Sequence, residues 1–344
     1  MPVLPAHSIV RTSARMARPR LGAVLGMLTC AAVASVALAL ATGSVDIDAQ
    51  TILRALAGNT GDSKTAIVRE LRLPRALAGF AVGGLLAVAG ALMQVLLRNP
   101  LADPYVLGIS GGAAVGALAA LFASAAVLVM PAAFAGAFAS TLIVFGLARL
   151  HAAYAPWTAT RLLLTGVVVA AGWGAVIALL LTLAPDAQLR GMLFWLLGDL
   201  SAPTSPVPAL VILAVVVVAT LAFARDMNAL ARGDEVASAL GVAVPRITVA
   251  LHAAAALATA AAVTTAGTVG FVGLIVPHAL RLVIGNDQRV LLPAAALAGG
   301  TLLVLADTLA RSIVAPVQLP VGVITALIGV PTFLYLLARS GVRA

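Results

Sequence analysis

Long apolar runs separated by short polar joins fill the chain, and their length sets the reading. A helix rises 1.5 Å per residue, so about 20 apolar residues cross the roughly 30 Å of a bilayer's hydrocarbon. Runs near that length fall at 21–42, 76–97, 106–129, 131–148, 162–184, 207–224, 247–268, 270–284, 290–310 and 321–338. They predict an all-α polytopic membrane protein of about ten transmembrane helices. The run at 270–284 is short, and those at 131–148 and 207–224 only just suffice. The organisation that follows is a basic segment at 1–20, one ten-helix domain over 21–338, and a tail at 339–344. The longest polar join, at 225–246, belongs to the helical domain.

Composition removes the soluble alternative. Apolar residues make up 62% of the 344 and charged residues 10%, against about a quarter charged in soluble domains. So little charge cannot coat a water-facing surface of this size, and the lipid bilayer is the expected surround. Cys30 is the only cysteine, which excludes an internal disulfide and Cys-based zinc or iron–sulfur sites. With four scattered histidines, no metal site is expected.

The first apolar run follows Arg11, Arg15, Arg18 and Arg20, as a signal peptide's would. At about 20 residues it exceeds the usual 7–15-residue apolar region, so a retained helix is expected. Net charge is +9, and its placement matters more than its size. With the N-terminus in the cytoplasm and ten crossings, the cytoplasmic joins hold 14 basic and 5 acidic residues, the outer joins 7 and 7. The whole excess lies inside, as orientation by loop charge requires. Both termini are therefore expected in the cytoplasm, and the basic charge calls for no nucleic acid. Arg69, Arg72 and Arg75 break the pattern by clustering outside; snorkelling to headgroups is one reading of them.

Glycines spaced by four, Gly79 and Gly83, then Gly108, Gly112 and Gly116, put small residues on one helix face and predict close helix packing. Ionisable or amide groups in the middle of the runs are few: Gln94, His252 and, nearer an end, Asp307. No span carries a carboxylate pair or proton-relay series, which disfavours a secondary transporter working alone. A phosphate-binding loop needs a lysine after its glycines. The only lysine, Lys64, lies in Gly61-Asp62-Ser63-Lys64-Thr65 without a strand–helix frame. The chain is expected to be no enzyme and to bind no cofactor; any ATP and Mg would be used by a partner. In the join at 225–246, Asp234 and Glu235 open a short helix after Gly233, with Val236 and Leu240 on one face and Gly241 ending it. Such a helix suits docking on a partner; lying on lipid is the alternative.

The motifs then combine. Arg72-Leu73-Pro74-Arg75, Gly90-Ala91-Leu92-Met93-Gln94, Arg98-Asn99-Pro100-Leu101-Ala102-Asp103-Pro104 and Leu107-Gly108-Ile109-Ser110-Gly111-Gly112 stand in order. Gly233-Asp234-Glu235-Val236-Ala237, Gly270-Phe271-Val272-Gly273 through Pro277-His278 to Arg281, and Ala306-Asp307-Thr308-Leu309-Ala310-Arg311 follow. This series resembles the FecCD family, permeases of importers for ferric siderophores, haem and cobalamin. The resemblance implies a BtuC-like type II fold and a homodimer with a second copy of the chain. It implies a cytoplasmic ABC ATPase dimer, a periplasmic substrate-binding protein, and residence in the bacterial inner membrane. It assigns Arg72, Arg75 and Arg311 to binding-protein docking. Gly233, Asp234, Glu235, Val236, Ala237, Leu240 and Gly241 go to ATPase coupling, and Asn99, Leu101 and Thr158 to the translocation gate. Ferric siderophore leads as cargo, with haem and cobalamin as alternatives. A haem-ligand role for His278 is disfavoured against capping or pairing.

Overall fold

The computed structural model describes residues 18–43, 45–58, 61–150, 159–201, 205–314 and 317–341, and all regular structure among them is helical. Helix α1 (Arg18–Ala41) leads to an excursion of α2 (Ala49–Leu56), α3 (Ser63–Ala66) and a π-helical turn at Ile67–Arg72. That turn runs directly into α4 (Leu73–Leu96). Next come α5 (Ile109–Phe122), α6 (Val129–Leu150), α7 (Ala159–Leu183) and α8 (Asp186–Leu196). The chain continues as α9 (Val207–Ala222), α10 (Ala224–Leu230), α11 (Asp234–Ala239) and α12 (Val244–Ala266). It closes with α13 (Val272–Ile284), α14 (Gln288–Ser312) and α15 (Val321–Gly341).

Each of the ten predicted runs holds a helix, yet the helices are unequal. Among the described residues six are long and apolar enough to span a membrane individually, and the pair α9 and α10, bent by 65°, makes a seventh when counted as one span. Helices α5 and α13 have 14 and 13 residues, a reach of only about 20 Å. Past the exposed turn at 98–101, the stretches beside them, 102–108 and 267–271, pack inside the bundle: the Tyr105 hydroxyl donates to the Val269 carbonyl and accepts from the Val269 amide, both at 3.0 Å. Non-helical backbone at such depth is tolerated because protein encloses it.

Helix α4 is the axis of the bundle. Its most apolar window is 89% buried, against 11% for the Leu162–Leu183 span in α7, so α4 is enclosed by its own chain and α7 lies on the outside of the bundle. Lipid tails are as apolar as leucine, so helices join in a membrane by close fit rather than by escape from water. The glycines supply that fit. A Cβ on Gly83 would stand 2.2 Å from the Gly299 carbonyl oxygen, and one on Gly299 would stand 2.4 Å from that of Gly83. Gly112 and Gly136 are reciprocal in the same way, at 2.3 and 2.1 Å. A Cβ added to Gly90 would stand 1.8 Å from the Gly273 carbonyl oxygen. Any side chain at these positions would part the helices.

Between α1 and α4 the excursion builds a small cap of its own, with Leu40, Ile47, Ala55 and Val68 buried together. Asp48 starts α2 by accepting from the Thr51 hydroxyl at 2.6 Å. Lys64 sits in one-turn α3, whose start is capped by the Asp62 carboxylate accepting from the Lys64 amide.

Candidate functional site

Helices α4 and α14 run antiparallel, which brings Arg75 near the start of one against Asp307 and Arg311 near the end of the other. Arg75 grips Asp307 with both prongs, Nε to Oδ2 at 2.9 Å and Nη2 to Oδ1 at 2.8 Å. Its Nη1 donates to Gln318 Oε1 at 2.8 Å. Arg311 Nε lies 3.3 Å from Asp307 Oδ2, near enough to pair, and its Nη2 donates to the Ala39 carbonyl at 3.2 Å. The side chains of Arg75, Arg311 and Asp307 are 14%, 12% and 4% exposed.

Arg72 goes further inward. It is 6% exposed and donates to the carbonyls of Leu40 at 2.7 Å, Ala41 at 3.1 Å and Val45 at 2.5 Å. The last carbonyls of a helix have no partner within it and form its negative end. Arg72 and Arg311 therefore cap α1 at its C-terminus. Gly43 makes room, since a Cβ there would stand 2.6 Å from Arg72 Nη2. Three arginines that broke the loop-charge pattern thus include one held at a helix terminus and one held by a carboxylate. Arg69 stays exposed and reaches the Gly58 carbonyl at 3.3 Å. The structure brings the three docking candidates Arg72, Arg75 and Arg311 together, and it engages each within the chain.

At the far end of α4 lie the gate and coupling candidates. After Leu97 the chain turns through Arg98, Asn99, Pro100 and Leu101. Asn99 Oδ1 accepts from the Leu101 amide at 2.9 Å, fixing the turn. Leu101 is 37% exposed; Thr158 lies outside the described residues. The predicted short helix is α11, entered through Gly233 at φ +120 and closed by Gly241 at φ +82, values that favour glycine. Ala237 is fully buried, while Val236 and Leu240 are 43% and 64% exposed. The polar join is more ordered than its sequence suggests, because α10 occupies its start and Asn228 ties it to the next turn. Asn228 Nδ2 donates to Asp287 Oδ1 at 2.9 Å, and its Oδ1 accepts from the Gln288 amide at 3.0 Å.

Two polar linkages escaped the sequence reading. Arg98 Nη2 pairs with Asp234 Oδ2 at 3.0 Å, joining the turn after α4 to the head of α11. Arg281 Nη1 donates to Gln94 Oε1 at 2.5 Å and its Nη2 to the Ala91 carbonyl at 3.2 Å. Gln94 Nε2 donates in turn to the Leu274 carbonyl at 3.0 Å, so α4 and α13 are laced together by side chains. Gln94 and Arg281 lie 187 positions apart, and no local pattern in the sequence pairs them. Among the described residues no cluster of His, Cys, Asp or Glu is arranged to hold a metal ion.

Comparison with known proteins agrees with this architecture. The cobalamin import system permease BtuC of Halobacterium salinarum is 44% identical over 317 residues, covering 90% of this chain and 84% of that protein. The hemin transport system permease HmuU of Yersinia pestis is 41% identical, covering 88% and 92%. The Fe(3+) dicitrate permease FecD of Escherichia coli is 39% identical, covering 79% and 85%. A solved structure described as a metal-chelate type ABC transporter, inward-facing, superposes with a TM-score of 0.79 at 27% identity, covering 92% of this chain and 99% of that one. The profile of the FecCD transport family matches residues 31–339, and the chain is a member of that family of ABC importer permeases.

Proposed function

We propose that the chain forms half of the path through which an ATP-driven importer moves a metal chelate across a bacterial inner membrane. Two copies would enclose the path and a dimeric ATPase would bind on the α11 side, where both chain termini would lie in the cytoplasm. A binding protein would deliver cargo on the Arg72 side. The observation that carries this reading is the family match over nearly the whole chain, joined to an apolar pair, Val236 and Leu240, exposed on a helix outside the spans. Gly233, Asp234, Glu235, Ala237 and Gly241 shape that helix as the coupling element. Asn99, Leu101 and Thr158 would gate the path. Binding-protein carboxylates would approach the partly exposed edges of Arg75 and Arg311, with Arg72 holding the platform beneath them.

For the cargo, the 44% identity to a cobalamin permease favours a corrinoid. Haem, at 41% identity to a hemin permease, and a ferric chelate such as a ferric siderophore, at 39% identity to the ferric dicitrate permease, are the further readings. The test is uptake into proteoliposomes holding the permease, its ATPase and its binding protein. Radiolabelled cyanocobalamin and a ferric siderophore would be offered in turn. ATP-dependent accumulation of one of them supports the assignment. Accumulation that persists with an inactivated ATPase would mean a secondary transporter and sink it.

A further inference from the structure

The turn that begins at Arg98 is held by its backbone and by its side chain at once. Arg98 has φ +47, the left-handed region that residues with a Cβ rarely occupy without local compensation. Its amide bonds back to the Val95 carbonyl at 3.2 Å, so this conformation ends α4 and aims the chain into Asn99-Pro100-Leu101. The guanidinium points the other way, to Asp234 at the first position of α11. Helix α11 otherwise packs on α10 and α12. Beneath the ion pair lies a cavity of about 130 Å³, bordered by Leu96, Leu230, Val244 and His252. His252 is 3% exposed and its Nε2 has no hydrogen-bond partner. The turn and α11 are thus joined across loosely filled space by a charged bridge, not by packed side chains. Because Arg98 and Asp234 are 42% and 54% exposed, the bridge adds little to stability. A contact of that kind can shift with α11 without disrupting the bundle.

We propose that Arg98 is a positioning residue that relays movement of α11 to the Asn99–Leu101 turn, its side chain following Asp234 while its backbone sets the turn. This rests on the importer reading above. The experiment reconstitutes the permease with its ATPase and binding protein, then measures both cargo accumulated and ATP hydrolysed. ATP-dependent uptake by the unaltered complex is the control, and its absence would count against the importer reading rather than the relay. Arg98→Gln should assemble with the ATPase and hydrolyse ATP while cargo moved per ATP falls about tenfold, inside the range usual for coupling between sites. The exchange Arg98→Asp with Asp234→Arg should restore most of that ratio. Arg98→Gly, which relaxes the backbone and removes the bridge, should lose it again. A normal ratio in Arg98→Gln, or a fallen ratio that the exchange does not restore, overturns the relay. Loss of assembly in Arg98→Gln also overturns it, since the bridge would then serve docking.

Discussion

Asp307 is where a single atom change tests the outer cluster most directly. Asp307→Asn keeps the shape of the side chain and removes the charge that Arg75 and Arg311 share at 2.8 and 3.3 Å. At an effective dielectric of about 20, opposite charges roughly 3 Å apart attract by about 5 kcal/mol, an attraction offset in the native state by desolvation. Taking away one partner of a buried pair leaves that desolvation uncompensated and costs about 3–5 kcal/mol. Here two guanidiniums would face each other without a counter-ion. Because both retain some exposure, 14% and 12%, the lower end applies, about 3 kcal/mol or roughly a hundredfold in the unfolding equilibrium. The measurement is reversible unfolding in mixed micelles of mild detergent and dodecyl sulfate. Adding Arg75→Met to Asp307→Asn should recover part of the loss, because neighbouring charges are coupled. A variant within about 0.5 kcal/mol of the parent, the range of neutral surface changes, would refute the view that this carboxylate holds α4 to α14.

Three further outcomes follow from the same geometry. Arg72→Met strips the cap from α1, so amide exchange and proteolysis should rise over residues 38–48; Arg72→Lys should rescue only partly, since an ammonium cannot span three carbonyls as a planar fork does. Gly90→Ala places a Cβ 1.8 Å from the Gly273 oxygen and should cost about 1–3 kcal/mol by overpacking, read in the same unfolding assay. Leu240→Asp, on a side chain 64% exposed, should leave stability within about 0.5 kcal/mol yet abolish co-purification of the ATPase; retained co-purification would remove α11 from the interface.

The all-helical bundle was legible because bilayer thickness imposes one strong period on the sequence. The Gly83 and Gly112 stripes were legible for the same kind of reason, since a spacing of four is a local property. The shortness of α13 was already visible in its run, but the shortening of α5 and the bend at Phe223 remained hidden, because tertiary packing decides how much of an apolar run stays helical. The fate of Arg72 was hidden too. A loop-charge count treats every outer arginine alike, whereas this one finds the unpaired carbonyls of a helix 31 positions away. Arg98 and Asp234, 136 positions apart, meet only because α4 and α10 end, and α12 begins, on the same side of the bundle.

The burial of α4 has a consequence for how the molecule is made. Its walls are α9, α12, α13 and α14, all of which emerge from the ribosome well over a hundred residues later. During synthesis the helix that becomes the axis must rest in lipid with its glycine faces bare, stable enough to wait because its own hydropathy is high. Closure of the bundle is therefore set by the second half of the chain, and a ribosome stalled before α12 would leave an inserted but open intermediate for the membrane's quality-control proteases.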